Sequence, residues 1–458
     1  MTDKLLIYSI NNSNWMHAWM KQFCNSSDLS DAGLYKLRGF GVAKLIGLFL
    51  LLPFSGLRIY EFKKTDLPVP GRDAFYRLLG HPGYNWGKLL YRIACRLIGE
   101  FNPLTSRKTP RVLIIDESPY KRSRSKTVQY LGLQYDHSDG NYYRGFRLLV
   151  MGWSDGHSFV PCQMELLTNA DSAKRIGPDP NLDRRSCAGK RVGQATRKAT
   201  ELAEEMVARG VGQGLDADYV VVDSWFAQPG VLKRMATHCP VVCTLKDLPK
   251  ITYRLHGRIY RLQGLYEKAR RISRRAKNDP IIASMRVQMV GGPEVRVVFV
   301  RDAGNPGKWM ALASTDTELR AEQICRIYAY RWDIEVFFKM IKQHLGLHSL
   351  ELRNYVSMIA YTNIVFIRYM MLAYYQRLQC DQKTLPGIFR DVAKELQAAT
   401  LVYCLNILQW EMAEMIFSDP LQPVILIYEK FTSSMQNLAQ LIYGNLLVNK
   451  PLTINCDS

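Results

Sequence analysis

Apolar residues recur at helical spacing through the first hundred residues, where Pro and Gly divide the pattern into short segments. The pattern is clearest in Leu45–Leu52 and in Phe75–Leu79. In GRDAFYRLLGHP the apolar side chains fall on one side of a helix and the polar ones on the other. These polar residues are Arg72, Asp73, Tyr76 and Arg77. The spacing predicts a helical domain over residues 1–105.

From residue 106 the pattern changes to runs of β-branched and aromatic residues between polar turns. RVLIIDES, YYRGFRLLVMGW and SFVPCQMELL predict three consecutive strands. A helix over about Arg191–Val211 follows, then the strand DYVVVDSWF, a helix from about Pro229 to His238, and the strand PVVCTLK. This order predicts an α/β fold, with a mixed sheet and flanking helices over residues 106–246.

The stretch 247–306 is less regular and predicts a β-rich insertion into the sheet domain. It holds the basic run KARRISRRAK and two strand-like runs around a Gly-Gly-Pro turn, IIASMRVQMV and VRVVFVRD. The strand WMALASTD closes it. A long, largely buried helix is predicted from near Thr317 through RIYAYRWDIEVFFKMIKQH, and residues 349–458 are predicted to be mainly helical.

Charge restricts the partners of this fold. Sixty-one Lys and Arg against forty-one Asp and Glu give a net charge of +20, which favours nucleic acid or an anionic membrane. The longest apolar stretches, Leu45–Phe54 and Met358–Leu372, are respectively too short and interrupted by Arg368, so we predict buried helices and no membrane. The N-terminal MTDKLLIYSI lacks the features of a secretory signal, which favours the cytoplasm. The ten cysteines form no CxxC pair and are predicted to be reduced core thiols.

Two aspartates follow apolar runs of the kind found in central strands. Asp116 ends LIID and Asp223 ends YVVVD. Either acid alone is more often a cap or turn residue, but two buried strands of this type can bring their carboxylates together at adjacent strand ends. Because hard divalent cations such as Mg²⁺ prefer oxygen ligands, the pair suggests a metal site.

Four polar residues of the long helix lie on one face, within roughly 60° of one another at about 100° per residue. They are Tyr328, Arg331, Glu335 and Lys342. One interpretation is a stripe of structural salt bridges. The other is that Glu335 joins Asp116 and Asp223 in holding two ions about 4 Å apart, an arrangement that catalyses phosphodiester chemistry. The three remaining side chains would then bind phosphates.

The spacing of this stripe, Y-x2-R-x3-E-x6-K, is the YREK signature, and on it the chain resembles the DDE transposases of bacterial insertion sequence family four. In that resemblance Asp116 matches the aspartate of the first strand and Asp223, within VVDSWFA, that of the fourth. Glu335 matches the glutamate of the helix after the inserted β region. The likeness covers about Arg111–Leu347 and implies an RNase H-like catalytic core with a β-strand insertion.

The resemblance implies a transposase that binds the terminal inverted repeats of its element, cleaves the ends and joins them to target DNA. The implied cofactor is Mg²⁺, for which Mn²⁺ can substitute, as two ions held by Asp116, Asp223 and Glu335. The implied partners are double-stranded DNA and a second copy of the chain in the synaptic complex. The sequence has no GxxxxGK[ST] phosphate loop, which argues against ATP use. The expected location is the bacterial cytoplasm, at the nucleoid.

Family members use a tryptophan that opens the last strand of the insertion to stack a base flipped from the DNA end. Trp309 stands in that place, and core packing is the alternative role. Three basic runs favour DNA contact over simple solvation: Lys121–Lys126, Arg184–Lys198 and Lys268–Lys277. Besides the signature residues, the side chains predicted to bind DNA are those of Arg72, Tyr76, Arg77, Arg270, Arg271, Arg274 and Arg275. The alternative for the helix that carries Arg72, Tyr76 and Arg77 is a plain amphipathic helix of the core.

These patterns predict five regions. They are a DNA-end-binding domain (1–105), the first part of the core (106–246), the insertion (247–306), the last strand and Glu-bearing helix of the core (307–348), and a helical region for dimerisation (349–458). Two other functions stay open: a domesticated relative that binds DNA without cutting it, and a metal-dependent nuclease that never joins strands. The intact signature speaks against the first.

Overall fold

The computed structural model describes residues 14–36, 38–55, 59, 70–136, 139–273, 275–276, 279–302, 305, 307–379, 382–394 and 396. They divide into two compact units. The smaller unit takes its described residues from Met1–Gln22, Lys36–Phe75 and Pro386–Ser458, and the larger from Phe23–Tyr35 and Tyr76–Leu385. The catalytic residues proposed from the sequence all lie in the larger unit.

The described part of the first hundred residues is helical, as the apolar spacing predicts. The helices are α1 (Asn14–Phe23), α2 (Ser26–Asp31), α3 (Val42–Ser55), α4 (Arg72–Leu79) and α5 (Trp86–Phe101). In α4 the side chains of Phe75, Leu78 and Leu79 are buried, and the four polar residues are exposed, as predicted. Of the predicted C-terminal helical region, Tyr355–Gln379 and residues 385–394 are helical, and residues 397–458 lie outside the described residues.

The strands of the larger unit form one sheet. They are β1 (Val112–Lys121), β2 (Gly132–Asp136), β3 (Asn141–Ser154), β4 (Phe159–Leu167), β5 (Tyr219–Val222), β6 (Val241–Leu245), β7 (Tyr253–Leu255), β8 (Arg258–Tyr260), β9 (Ile281–Met289), β10 (Glu294–Arg301) and β11 (Trp309–Ser314). The order is β2-β3-β1-β5-β6-β11-β10-β9-β7-β8, and β4 pairs with β3 beside β2. The pairs β1–β5 and β5–β6 are parallel, which makes the sheet mixed. The predicted α/β class, an RNase H-like core with a β insertion, is confirmed.

The insertion extends the central sheet. Strand β11 pairs antiparallel with β6, and β10, β9 and the short hairpin β7–β8 continue outward from it. The strand β2 was not predicted, because only five residues alternate between buried and open positions in it. It is held by pairing with the start of β3.

Helices pack on the sheet and connect its strands. They are α6 (Cys187–Gln194), α7 (Ala199–Gly212), α8 (Pro229–Met235), α9 (Leu262–Ile272), α10 (Ala321–Ala329), α11 (Arg331–Gln343) and α12 (Tyr355–Gln379). One continuous helix over Arg191–Val211 was predicted, but the chain forms α6 and α7. The carbonyl of Ala195 accepts from the Thr168 amide at 2.8 Å, so it is used by the end of β4 rather than by another turn of helix.

The helix that carries the signature is also divided. It begins at Ala321 rather than near Thr317, and it breaks at Tyr330, between α10 and α11. The Tyr330 carbonyl accepts from the amide of Asp333, three residues on, at 3.0 Å, a tighter turn than that of an α-helix. Trp332 is 65% exposed and Val336 39%, so the prediction of a largely buried helix is wrong for these two side chains.

Helix α12 is the one described helix that is long and apolar enough to cross a membrane, and its apolar part is buried entirely within the protein. The prediction of a buried helix over Met358–Leu372 is therefore confirmed. Arg368, which interrupts the apolar run, is itself buried and donates a hydrogen bond to the carbonyl of Leu345.

Candidate active site

Asp116 and Asp223 occupy matching positions on two adjacent parallel strands. In the β1–β5 pair Ile115 lies opposite Val222, and each aspartate is the next residue. Neighbouring strands lie about 4.8 Å apart, which places the two carboxylates side by side at one edge of the sheet. Strand β1 continues past Asp116 to Lys121 alongside β3, whereas β5 has ended.

Burial disfavours the charged form of both carboxylates. Burial and the negative charge of Asp223 raise the pKa of Asp116 to about 7, and Arg331 opposes this shift. Burial also raises the pKa of Asp223, although its Oδ1 accepts a hydrogen bond from the amide of Trp225 at 3.0 Å. A cation placed beside the pair would favour both charged forms.

Glu335 reaches this edge on helix α11, where Arg331 joins it to Asp116. The Arg331 Nη1 donates to Asp116 Oδ2 at 2.8 Å, and its Nη2 donates to Glu335 Oε1. The guanidinium also lies near enough to Asp223 to affect its pKa. The structure thus places Asp116 beside Asp223 and joins Asp116 to Glu335 through Arg331.

Tyr328 and Lys342 lie on either side of this group. The Tyr328 hydroxyl is 3.4 Å from Thr244 Oγ1, and Thr244 follows Cys243, which pairs with Val222 in the neighbouring strand. Lys342 Nζ donates to Ser118 Oγ at 2.6 Å. Ser118 lies two residues beyond Asp116 on β1, which gives it the same face of the strand. Helices α10 and α11, which carry the YREK residues, therefore pass the ends of β5 and β6 and the middle of β1.

The donor set fits a hard divalent cation, because it consists of carboxylate oxygens from three different elements. In the part of the chain that the structure describes, however, no three His, Cys, Asp or Glu side chains are grouped as a ready metal-binding cluster. At the proposed site, the guanidinium of Arg331 lies between two of the acids. An ion shared by Asp116 and Glu335 therefore requires Arg331 to move.

The acids that neighbour the proposed ligands in sequence have other partners. Glu117 lies 3.2 Å from the guanidinium of Arg147 on β3. Asp333 Oδ2 accepts a hydrogen bond from Ser154 Oγ at 2.5 Å. Glu117 still lies close enough to Asp223 for the two charges to interact.

Trp309 lies at the same edge of the sheet as the aspartates. Strand β11 runs antiparallel to β6 with Ala311 opposite Leu245, so Trp309 lies past the carboxyl end of β6. Its indole is half-buried and stacks on the ring of Tyr266, with centroids 4.4 Å apart and planes inclined by 14°. Phe299 meets the indole edge-on at 5.4 Å. Trp309 thus belongs to an aromatic cluster and remains partly accessible.

The basic residues predicted to bind DNA have different environments. Arg270 and Arg271 are exposed in the last turn of α9, whereas Arg275 is paired with Asp279 at 3.0 Å and with Glu322 at 2.7 Å. Arg274 lies outside the described residues. On α4 the side chains of Arg72, Tyr76 and Arg77 are exposed.

Two arginines of the basic runs form hydrogen bonds within the protein. Arg122 is buried, and its guanidinium donates to the Leu350 carbonyl at 3.0 Å. Arg191 donates to the Met164 carbonyl at 2.8 Å and to Glu165 at 2.5 Å. The expectation of phosphate contact is therefore wrong for Arg122, which secures the loop after the Glu-bearing helix.

We expect Arg122→Ala to lower the free energy of unfolding by about 2–3 kcal/mol, because a charged donor is lost and a buried carbonyl loses its partner. Thermal denaturation checks this value. The matched control is Arg124→Ala, since Arg124 is exposed in the same run and surface substitutions usually change stability by less than about 0.5 kcal/mol. Equal stability of the two variants would contradict the structural role of Arg122.

Some residues near the site had no strong sequence signal. Ser118 could have been found from the alternation of side chains along β1, because it shares a face with Asp116. Arg147 and Tyr266 could not, since only strand pairing and helix packing bring them to Glu117 and Trp309.

Comparison with known proteins gives two matches to family models. Residues 67–246 match a DDE superfamily endonuclease domain, and residues 189–371 match a transposase DDE domain. No curated protein matches the chain. Domains of this kind imply nuclease or transposase activity on DNA and generally use divalent metal ions. The two matched stretches overlap and together span residues 67–371, so this part of the chain is similar to DDE domains of endonucleases and transposases.

Proposed function

We propose that this protein is a transposase of insertion sequence family four that cleaves the ends of its element and joins them to target DNA. One observation carries the proposal: Asp116 and Asp223 each follow the last residue pair between the adjacent parallel strands β1 and β5, and Arg331 joins Glu335 to Asp116 at the same edge. The YREK spacing on α10 and α11 supports the finer family. We further propose that it acts in the cytoplasm, at the nucleoid.

We assign Asp116, Asp223 and Glu335 as the ligands of two Mg²⁺ ions, with Mn²⁺ as a substitute. Such ions, when bound, activate a water or a 3′ hydroxyl for attack and stabilise the leaving oxygen. The raised pKa of Asp116 supports the assignment, because buried neighbouring carboxylates are stabilised by a cation. The protein contributes the fixed positions of the three acids, two of them set by the register of β1 and β5.

The phosphates of the DNA end are assigned to the side chains around the acids. Arg331 offers a planar fork that suits phosphate oxygens, and Lys342 offers a point charge held by Ser118. Tyr328 adds a hydroxyl at the end of β6. We propose more distant DNA contacts for the exposed side chains of Arg72, Tyr76, Arg77, Arg270 and Arg271, and for Arg274 and Arg275 of the same basic run.

For Trp309 we propose stacking on a base flipped from the DNA end. The half-buried indole at the active edge supports this role, and Tyr266 supports the ring from one side. Residues 1–105 are proposed to bind the inverted repeats and residues 349–458 to support a dimer on paired ends. The core would then comprise residues 106–246 and 307–348, interrupted by the insertion.

We expect Trp309→Ala to slow the steps that need a distorted DNA end by about 5- to 150-fold, the equivalent of about 1–3 kcal/mol of stacking. The first nick should change less, because it needs no flipped base. Each step is timed on a labelled duplex. An abasic site at the flipped position should restore part of the rate.

Equal losses at every step, with a lowered melting temperature, would make Trp309 a core residue of its aromatic cluster. Tyr266→Phe is the control, because it keeps the stacked ring and removes only the hydroxyl.

The experiment that tests the function uses a duplex carrying the inverted repeat that flanks the gene. A transposase nicks this duplex in Mg²⁺ and joins a precut end to a second DNA. A nuclease cuts but does not join, and a domesticated relative binds without cutting. Either of the last two results would overturn the proposal.

A further inference from the structure

Arg331 holds two of the three proposed metal ligands at once. Its two terminal nitrogens contact Asp116 and Glu335 separately, one at 2.8 Å from Asp116 Oδ2. The exposed fraction is 23% for Arg331, 15% for Asp116 and 34% for Glu335, so the group is partly shielded from solvent and salt. The guanidinium therefore has the place that a cation shared by these carboxylates would need.

The guanidinium and a shared ion exclude each other. Mg²⁺ requires its oxygen ligands at about 2.0–2.1 Å, and Arg331 already donates to one oxygen of each acid, Asp116 Oδ2 and Glu335 Oε1. Arg331 cannot relieve its repulsion with a metal ion by losing a proton, because an arginine side chain stays charged in proteins. An ion bound between these two oxygens thus requires the side chain of Arg331 to leave both acids.

Moving the guanidinium away from both acids is unfavourable unless it pairs with another anion, because a half-buried charge without a partner is destabilised. A DNA phosphate is a suitable replacement, because its oxygens accept the same two-pronged hydrogen bonds as a carboxylate. Arg331 lies on the face that also carries Tyr328, whose ring centroid is 6.0 Å from the guanidinium, and Lys342. A phosphate attracted to this face meets Arg331 directly.

We propose that Arg331 couples the binding of metal and DNA by exchanging the two carboxylates for a backbone phosphate. The inference rests on the proposed function, because it takes Asp116 and Glu335 as metal ligands. DNA removes the competing cation from the site and so strengthens metal binding, and linkage requires metal to strengthen DNA binding by the same factor. The exchange restricts metal loading, and with it phosphodiester cleavage, to the protein that has already bound DNA.

The test measures Mn²⁺ affinity of the full chain by electron paramagnetic resonance, alone and with a precut duplex carrying the flanking inverted repeat. We expect the duplex to tighten Mn²⁺ binding by wild-type protein by about 5- to 150-fold, the usual range for coupled sites. Arg331→Gln should bind Mn²⁺ about tenfold more tightly than wild type without DNA, and the duplex should add little. A duplex with neutral methylphosphonates nearest the cut should lose the effect on wild type.

Arg326→Gln is the matched control, because it makes the same substitution at an exposed arginine of the neighbouring helix α10. It should leave Mn²⁺ affinity without DNA close to that of wild type. Arg331→Lys, which can reach only one carboxylate at a time, serves if the glutamine variant does not fold, and its affinity should be intermediate. An unchanged Mn²⁺ affinity in a folded Arg331 variant, or in wild type on adding the duplex, would overturn the coupling.

The same measurement on Asp116→Asn separates this inference from the proposed function. Loss of Mn²⁺ binding in that variant, with no effect of Arg331→Gln, means that the acids bind metal and only the coupling is wrong. Full Mn²⁺ affinity in Asp116→Asn means that the metal ligands themselves are wrong.

Discussion

We expect Asp116→Asn and Asp223→Asn each to reduce nicking and joining in Mg²⁺ by at least about a thousandfold, or about 4 kcal/mol of transition-state stabilisation. The two aspartates lie at matching positions on the neighbouring strands β1 and β5, so either substitution removes one of the proposed metal ligands. Binding to the DNA end should persist, because neither carboxylate is proposed to contact DNA. Cleavage and gel-shift assays on the same preparations check both expectations, in Mg²⁺ and in Mn²⁺.

The control for this pair is Glu117→Gln. Glu117 adjoins Asp116 in the chain, but its carboxylate lies beside Arg147. The variant should keep most of its activity per folded molecule, although it loses an ion pair. Mg²⁺-dependent cleavage by Asp116→Asn or Asp223→Asn would show that the substituted residue is not a metal ligand. Loss of cleavage in Glu117→Gln would instead indicate that Glu117 is a metal ligand as well.

The second large effect is expected at Glu335. Glu335→Gln should eliminate cleavage and joining at any Mg²⁺ concentration, because a neutral amide replaces the only proposed ligand from the helix. Asp333→Asn should retain most activity per folded molecule, since Asp333 accepts from Ser154 on β3 and an asparagine oxygen can still accept that hydrogen bond. Its loss of stability should not exceed about 1–2 kcal/mol.

The helix itself predicts this difference. Two residues subtend roughly 200°, which turns Asp333 away from the face that carries Glu335. Single-turnover cleavage, normalised by the folded fraction, compares the two variants. An active Glu335→Gln with a dead Asp333→Asn would reverse the roles of the two faces and refute the alignment to the YREK signature.

Local periodicity was sufficient to predict the elements that build the site. The apolar runs before Asp116 and Asp223 are typical of buried strands, and the structure has β1 and β5 there. The helical period of about 3.6 residues placed Arg331 and Glu335 on one face, and the two side chains are in contact. These predictions succeeded because each depends only on the direction of side chains along a single element.

The contacts between residues of different elements were decided by the tertiary structure alone. The end of α6 follows from the use of the Ala195 carbonyl by the amide of Thr168 at the end of β4. The sequence by itself favoured DNA contact for the basic run Lys121–Lys126, yet Arg122 of this run is buried and donates to the carbonyl of Leu350, 228 residues away. Likewise the YREK spacing placed Arg331 near Glu335. Only the pairing of β1 with β5 and the packing of α11 bring Asp116 to the other terminal nitrogen of Arg331. A single element fixes directions, whereas contacts between distant residues follow from packing the whole sheet and its helices.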